Sequence, residues 1–109
     1  MNKSDQKHKT LVSYHADLMK SLRNPKERAE YINAALEDGD PKVLLMALRH
    51  VAEATGGVRA LSVRTKLSRE TLYRTLSPKG NPELSSLDRI LRSLGLALRV
   101  EPRKPVHAH

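Results

Sequence analysis

Between Val58 and Leu76 the sequence VRALSVRTKLSRETLYRTL carries two short amphipathic segments separated by only three residues. No other stretch limits the fold as tightly. Val58, Leu61, Ser62 and Thr65 trace one face of a first short helix, and Leu72 and Leu76 lie one helical turn apart on a second. Ser68 stands where an N-cap belongs, its hydroxyl placed to accept from an unpaired N–H of the first turn. Leu67 before it and Leu72 after it have the spacing of a hydrophobic staple. The pattern predicts a helix-turn-helix over residues 58–76. Its second helix would turn Arg69, Glu70, Tyr73 and Arg74 outward, donors and an aromatic ring suited to base edges in a major groove. The turn position that usually holds Gly, to allow φ > 0, holds Lys66 here, which takes that conformation at a cost of roughly 1 kcal/mol.

The flanking chain reads as more short helices. Leu11, Tyr14, Leu18 and Leu22 recur at helical spacing and predict a first one. Asn24-Pro25 restarts the chain, with Asn as cap and Pro at the first helical position, and Ala29, Ile32, Ala35 and Leu36 form the next apolar stripe up to Gly39. Asp40-Pro41 repeats the signal before KVLLMALRHVAEA, which is apolar on nearly every side and so reads as the central, buried helix. Gly56-Gly57 ends it. After the loop SPKGNPE, Ser85 and Asp88 have capping-box spacing ahead of Leu87, Ile90, Leu91 and Leu94, with Gly95 as the stop. LALRVE then alternates, which predicts a short β-strand carrying Leu96, Leu98 and Val100 on one side. A lone strand cannot satisfy its own backbone, so it would pair with a second copy or with another protein. Residues 1–12 read as a disordered basic arm, 13–102 as one helical domain and 103–109 as a mobile tail.

Charge separates along the chain. Residues 1–56 hold nine Lys and Arg against eight Asp and Glu, whereas residues 57–109 hold eleven against four, so nearly all of the net +8 lies on the half with the helix-turn-helix. Generic solubility charge does not predict such segregation; a polyanionic partner does. Within this scheme Ser68, Lys79, Asn81 and Ser85 are the expected DNA-backbone contacts, being loop donors and a helix N-terminus beside the reading helix. The absence of Cys and of any ~20-residue apolar run, with an N-terminus lacking a signal-peptide core, leads us to expect a cytoplasmic protein without membrane contact.

Residues for catalysis do not gather. His8, His15, His50, His107 and His109 are scattered; His50 among apolar residues reads as a packed or rim side chain, and Glu37, Asp38 and Asp40 as helix-junction caps. No metal site, cofactor or enzymatic activity is expected.

Several segments taken together, NPKERAEYINAALEDGDPKVLLMALRHVAEATGG, LSRETLYRTLSPKGNPELSSLDRILRSLGL and the closing LALRVEP, resemble the HigA-like addiction module antidote family. The likeness runs from about residue 13 to residue 102, and that family often has Gly where Lys66 stands. It implies an all-α, lambda-repressor-like bundle of five or six helices, dimeric on operator DNA. It further implies an antitoxin of a type II toxin–antitoxin module that represses its own transcription and neutralises a RelE/HigB-like toxin, a ribosome-dependent messenger-RNA-cleaving protein. A stand-alone phage-type repressor without a toxin, or an interaction protein that has lost DNA binding, are the other readings the residues allow.

Overall fold

The computed structural model describes residues 3–104, with side chains described from Thr10 onward. Among the described residues it is all-helical: α1 (Lys3–Ser21), α2 (Pro25–Asp38), α3 (Pro41–Ala54), α4 (Gly57–Thr65), α5 (Arg69–Thr75) and α6 (Leu84–Ser93). The predicted starts at Asn24 and Asp40 are made as expected. Each side chain accepts a hydrogen bond from the backbone N–H two residues on, Lys26 and Lys42 respectively, both at 2.9 Å, with Pro at the first helical position. Gly39 takes the left-handed conformation (φ 84°) that ends α2, which a side chain would resist. The Asp38 carboxylate also accepts from the Asp40 N–H, so the acidic junction is used for capping.

α3 is the central helix. It packs on α1, α2 and α4, while α4 in turn packs on α5 and α6. Leu45, Ala47, Leu48, Val51 and Ala52 are buried on it, but Met46 is 41% exposed, so the apolar surface is not covered on every side. Leu22, Ile32, Leu61, Leu72, Leu76, Ile90 and Leu94 complete one aliphatic core, with no aromatic residue among its buried members. His50 is half-buried at its edge, with Nδ1 2.7 Å from the Tyr31 hydroxyl, and burial first, then the neighbouring His15 and Arg49, holds it below its ordinary pKa against the pull of Glu53. A second imidazole, His15, meets the Glu53 carboxylate at 3.0 Å and ties α1 to α3.

Four sequence expectations are corrected. The backbone is helical from Lys3, so the expected arm over residues 1–12 is instead the start of α1. No Gly or Pro interrupts the chain before Pro25, and nothing stops the helix from propagating outward. Among the described side chains of α1 and its end, Leu18, Met19 and Leu22 reach the core; Leu11 and Tyr14 are 60% and 70% exposed. The predicted strand at Leu96–Glu101 is absent. Gly95 (φ 78°) closes α6 in a left-handed turn in which the Leu96 N–H donates to the Leu91 carbonyl at 2.9 Å and the Gly95 N–H to that of Arg92 at 3.0 Å. That pair of bonds folds Leu96 back onto the core, and beyond it no neighbouring strand among the described residues offers a ladder. Finally, α6 begins at Leu84 with Glu83 as its cap, not at Ser85. The Leu87 N–H already bonds the Glu83 carbonyl, and Asp88 pairs with Arg92 at 3.0 Å instead of reaching back. Of the expected mobile tail, Arg103 and Lys104 are exposed and irregular, and residues 105–109 lie outside the described residues.

Arg28, half-buried on α2, ties three segments together. Its Nε donates to the Leu22 carbonyl at 2.8 Å, and its two terminal nitrogens to the carbonyls of Leu94 at 2.7 Å and Arg23 at 2.9 Å. The ends of α1 and α6 thereby find the partners that their last carbonyls lack within the helix. Replacing Arg28 with Met would strand those acceptors. Urea unfolding should show a loss of about 2–3 kcal/mol, and an unchanged midpoint would refute the tie.

Candidate nucleic-acid interface

The three residues between α4 and α5, Lys66, Leu67 and Ser68, are held by hydrogen bonds from α4 itself. The Lys66 N–H donates to the Ser62 carbonyl at 2.8 Å, and the Leu67 N–H to the Thr65 hydroxyl oxygen at 3.2 Å. Ser62 Oγ donates to the Leu67 carbonyl at 2.6 Å, and the buried Thr65 hydroxyl to that of Leu61 at 2.7 Å. Ser62 and Thr65, read from sequence as small members of an inner face, thus do directional work. They satisfy the turn's backbone, and that is how Lys66 is kept at φ 63°, the only non-glycine residue with positive φ among those described.

α5 is anchored at its start by Ser68, whose hydroxyl oxygen accepts from the Thr71 N–H at 3.0 Å, and on its inner side by buried Leu72 followed by Leu76. Leu67 and Leu72 enter the same cluster, as the staple spacing anticipated. The outer surface carries Arg69, Glu70, Tyr73 and Arg74, all exposed. Spacing of four places them as two stripes, Arg69 with Tyr73 and Glu70 with Arg74. Tyr73 differs from the other three. Its ring, 63% exposed, also lines an apolar cavity of about 250 Å³ bounded by Ala52, Gly57, Val58 and Leu76.

The loop after α5 is tied to it closely. A Cβ on Gly80 would lie 2.1 Å from the Thr75 carbonyl oxygen, so only glycine lets the chain pass there. The exposed Lys79 and Asn81 flank that contact, and Ser85 is exposed in the first turn of α6. The predicted residues therefore fall on α5, on the loop next to it and on the start of α6, while Ser68 spends its hydroxyl on the cap.

Charge at this end is of two kinds. Arg64 and Arg89 point back to helix-end carbonyls, Thr55 and Thr65, each at 3.4 Å, and Arg92 is paired with Asp88. Arg59, Lys66, Arg69, Arg74 and Lys79 are exposed, and their charged groups bond no other described side chain or carbonyl. These five are the cations free to meet a polyanion. Arg59, and Lys66 as a charge, were not singled out in the sequence; their basic character was visible, but freedom from a partner is a property of the fold.

The family model described as "probable addiction module antidote protein" matches residues 13–102, which is most of the chain. The chain belongs to this antidote family. An uncharacterized protein of Haemophilus influenzae is 28% identical over 85 residues, covering 78% of this chain and 87% of the relative. No solved structure matches. Membership places the chain among antitoxins and implies a toxin partner in general. No helix among the described residues is long and apolar enough to cross a membrane, and no group of three or more His, Asp or Glu side chains among them is placed to hold a metal. Of the three residues expected on a partner strand, Leu96 is packed against this antidote's core, and only Leu98 (41%) and Val100 (101%) are exposed.

The strain at Lys66 gives a stability test. Lys66→Gly removes about 1–2 kcal/mol of left-handed strain and returns about 0.5–1 kcal/mol of unfolded-state entropy. The expected net is a gain of about 0.5 kcal/mol, read as a raised denaturant midpoint at constant slope. Lys66→Val should lower that midpoint, because a β-branched side chain tolerates positive φ least.

Proposed function

We propose that this antitoxin is a HigA-like transcriptional autorepressor, with α4–α5 acting as a helix-turn-helix on its own operator and a RelE/HigB-like toxin as its protein partner. The observation that carries the DNA reading is the outer surface of α5. Four side chains able to address bases stand exposed on a short, capped helix, and free cations surround them. Arg69 and Arg74 would donate to guanine O6 and N7, and Glu70 would accept from cytosine N4. Lys66, Lys79 and Arg59, with the Asn81 amide and the start of α6 at Ser85, would meet phosphates and set the register. The toxin class rests on the resemblance of the segments quoted above, and the role is one of binding, without catalysis.

A single such helix reads only a few base pairs, too few to pick one promoter from a genome. Two copies about a two-fold axis would set their α5 helices about 34 Å apart, one DNA turn, and would demand a palindromic site. Leu98 and Val100 are the exposed apolar side chains offered to the second copy.

Footprinting on the promoter upstream of this chain's own reading frame tests the proposal, with a protected palindrome as the expected result. Arg74→Ala should cost about 1–3 kcal/mol of operator affinity and relax preference at one position of each half-site. Lys79→Ala should weaken operator and random DNA alike and reduce the salt slope by about 1. A loss at Lys79 confined to the operator would move that residue from phosphate to base, and indifference to both substitutions would remove α5 from the groove.

A further inference from the structure

α5 has seven residues, too few to hold helical form in water by itself. Its main neighbour in the bundle is α4, and beside the buried Leu72 and Leu76, which share the core with α3, an apolar cavity of about 250 Å³ lies between the two helices. Part of the α5–α3 contact is therefore not filled by side chains. One polar contact crosses the gap. Arg49, half-buried on α3, lines the cavity and donates through a terminal guanidinium nitrogen to the carbonyl of Leu76, the residue that caps the end of α5. A cation at that end also suits the helix dipole. α5 is thus defined at three places: Ser68 at its start, Leu72 and Leu76 beneath it, and Arg49 at its finish. The first two fix its start and its depth, and the third fixes its last turn beside the cavity.

We infer that Arg49 is a positioning residue for DNA reading: its bond to the Leu76 carbonyl across the cavity sets the angle at which α5 presents Arg69, Glu70, Tyr73 and Arg74. This rests on the helix-turn-helix reading of α4–α5. Arg49 itself touches no base and no phosphate in this scheme, so its loss would act on selectivity and not on the electrostatic attraction that random DNA also feels.

The test uses the full chain and has one arm without DNA. In Arg49→Met, amide exchange within Arg69–Leu76 should speed up about tenfold relative to that of α3, because a local opening has become easier while the core has not. Arg49→Lys, which keeps one donor and the charge, should recover most of that protection. In the DNA arm, Arg49→Met should weaken operator binding by about tenfold, as an ill-fitting base pair does, leave random-sequence binding within about twofold, and leave the salt slope unchanged. Uniformly faster exchange in every helix, or unchanged exchange in α5, overturns the inference. So does an equal loss on operator and random DNA with a salt slope lower by about 1, which would make Arg49 a phosphate contact. If Arg49→Met does not fold, the same comparison on Arg49→Lys decides, with a smaller increase confined to α5 expected and a uniform increase contrary. If wild-type protein prefers no operator, the DNA reading fails by itself, and the exchange arm still settles whether Arg49 holds α5.

Discussion

Helices end with carbonyl groups that have no partner inside the helix, and a bundle of six short helices has many such ends to satisfy. In this chain arginines from other elements meet most of them. Arg28 serves the ends of α1 and α6, Arg49 that of α5, Arg64 that of α3 and Arg89 that of α4. A guanidinium suits the task because it has five donors in a planar fork and stays charged at any relevant pH. The aliphatic core supplies cohesion without direction. The arginine ties supply direction, because a misaligned helix end breaks a charge-assisted bond and leaves a carbonyl without that partner.

Those ties also recast the charge. The net +8 looks like a single polyanion-seeking surplus, yet four of the twenty Lys and Arg are engaged in holding helix ends. What remains on α4, the turn, α5 and the loop is a smaller and better-placed set of free cations. Net charge alone cannot make that division, since it depends on which carbonyls lie within reach.

Local signals in the sequence were read well where the physics is local. The caps at Asn24, Asp40 and Ser68, the stops at Gly39 and Gly95, and the inward Leu61, Leu72 and Leu76 depend on neighbours a few residues away. Lys66 was also legible, since the three-residue turn demands positive φ whatever side chain is there. The strand was misread because alternation describes which way side chains point, while a strand exists only when another backbone pairs with it. The bonds that Ser62, Thr65, Arg28 and Arg49 donate are invisible for a related reason: each acceptor is a carbonyl, and every residue has one. Among these, Arg28 and Arg49 find theirs across the bundle, so only the packed chain selects them.

Apart from Tyr73, whose ring bounds the apolar cavity, the outer side chains of α5 make no contact that holds the molecule together. The side chains of Arg69, Glu70 and Arg74 bond nothing else in the described chain, and the cap, the inner leucines and the turn do not use them. A lineage can therefore exchange these three positions freely while the scaffold stays folded. Under the proposed reading, duplicated copies of such a chain could come to prefer different sites by a handful of substitutions, without passing through an unstable intermediate.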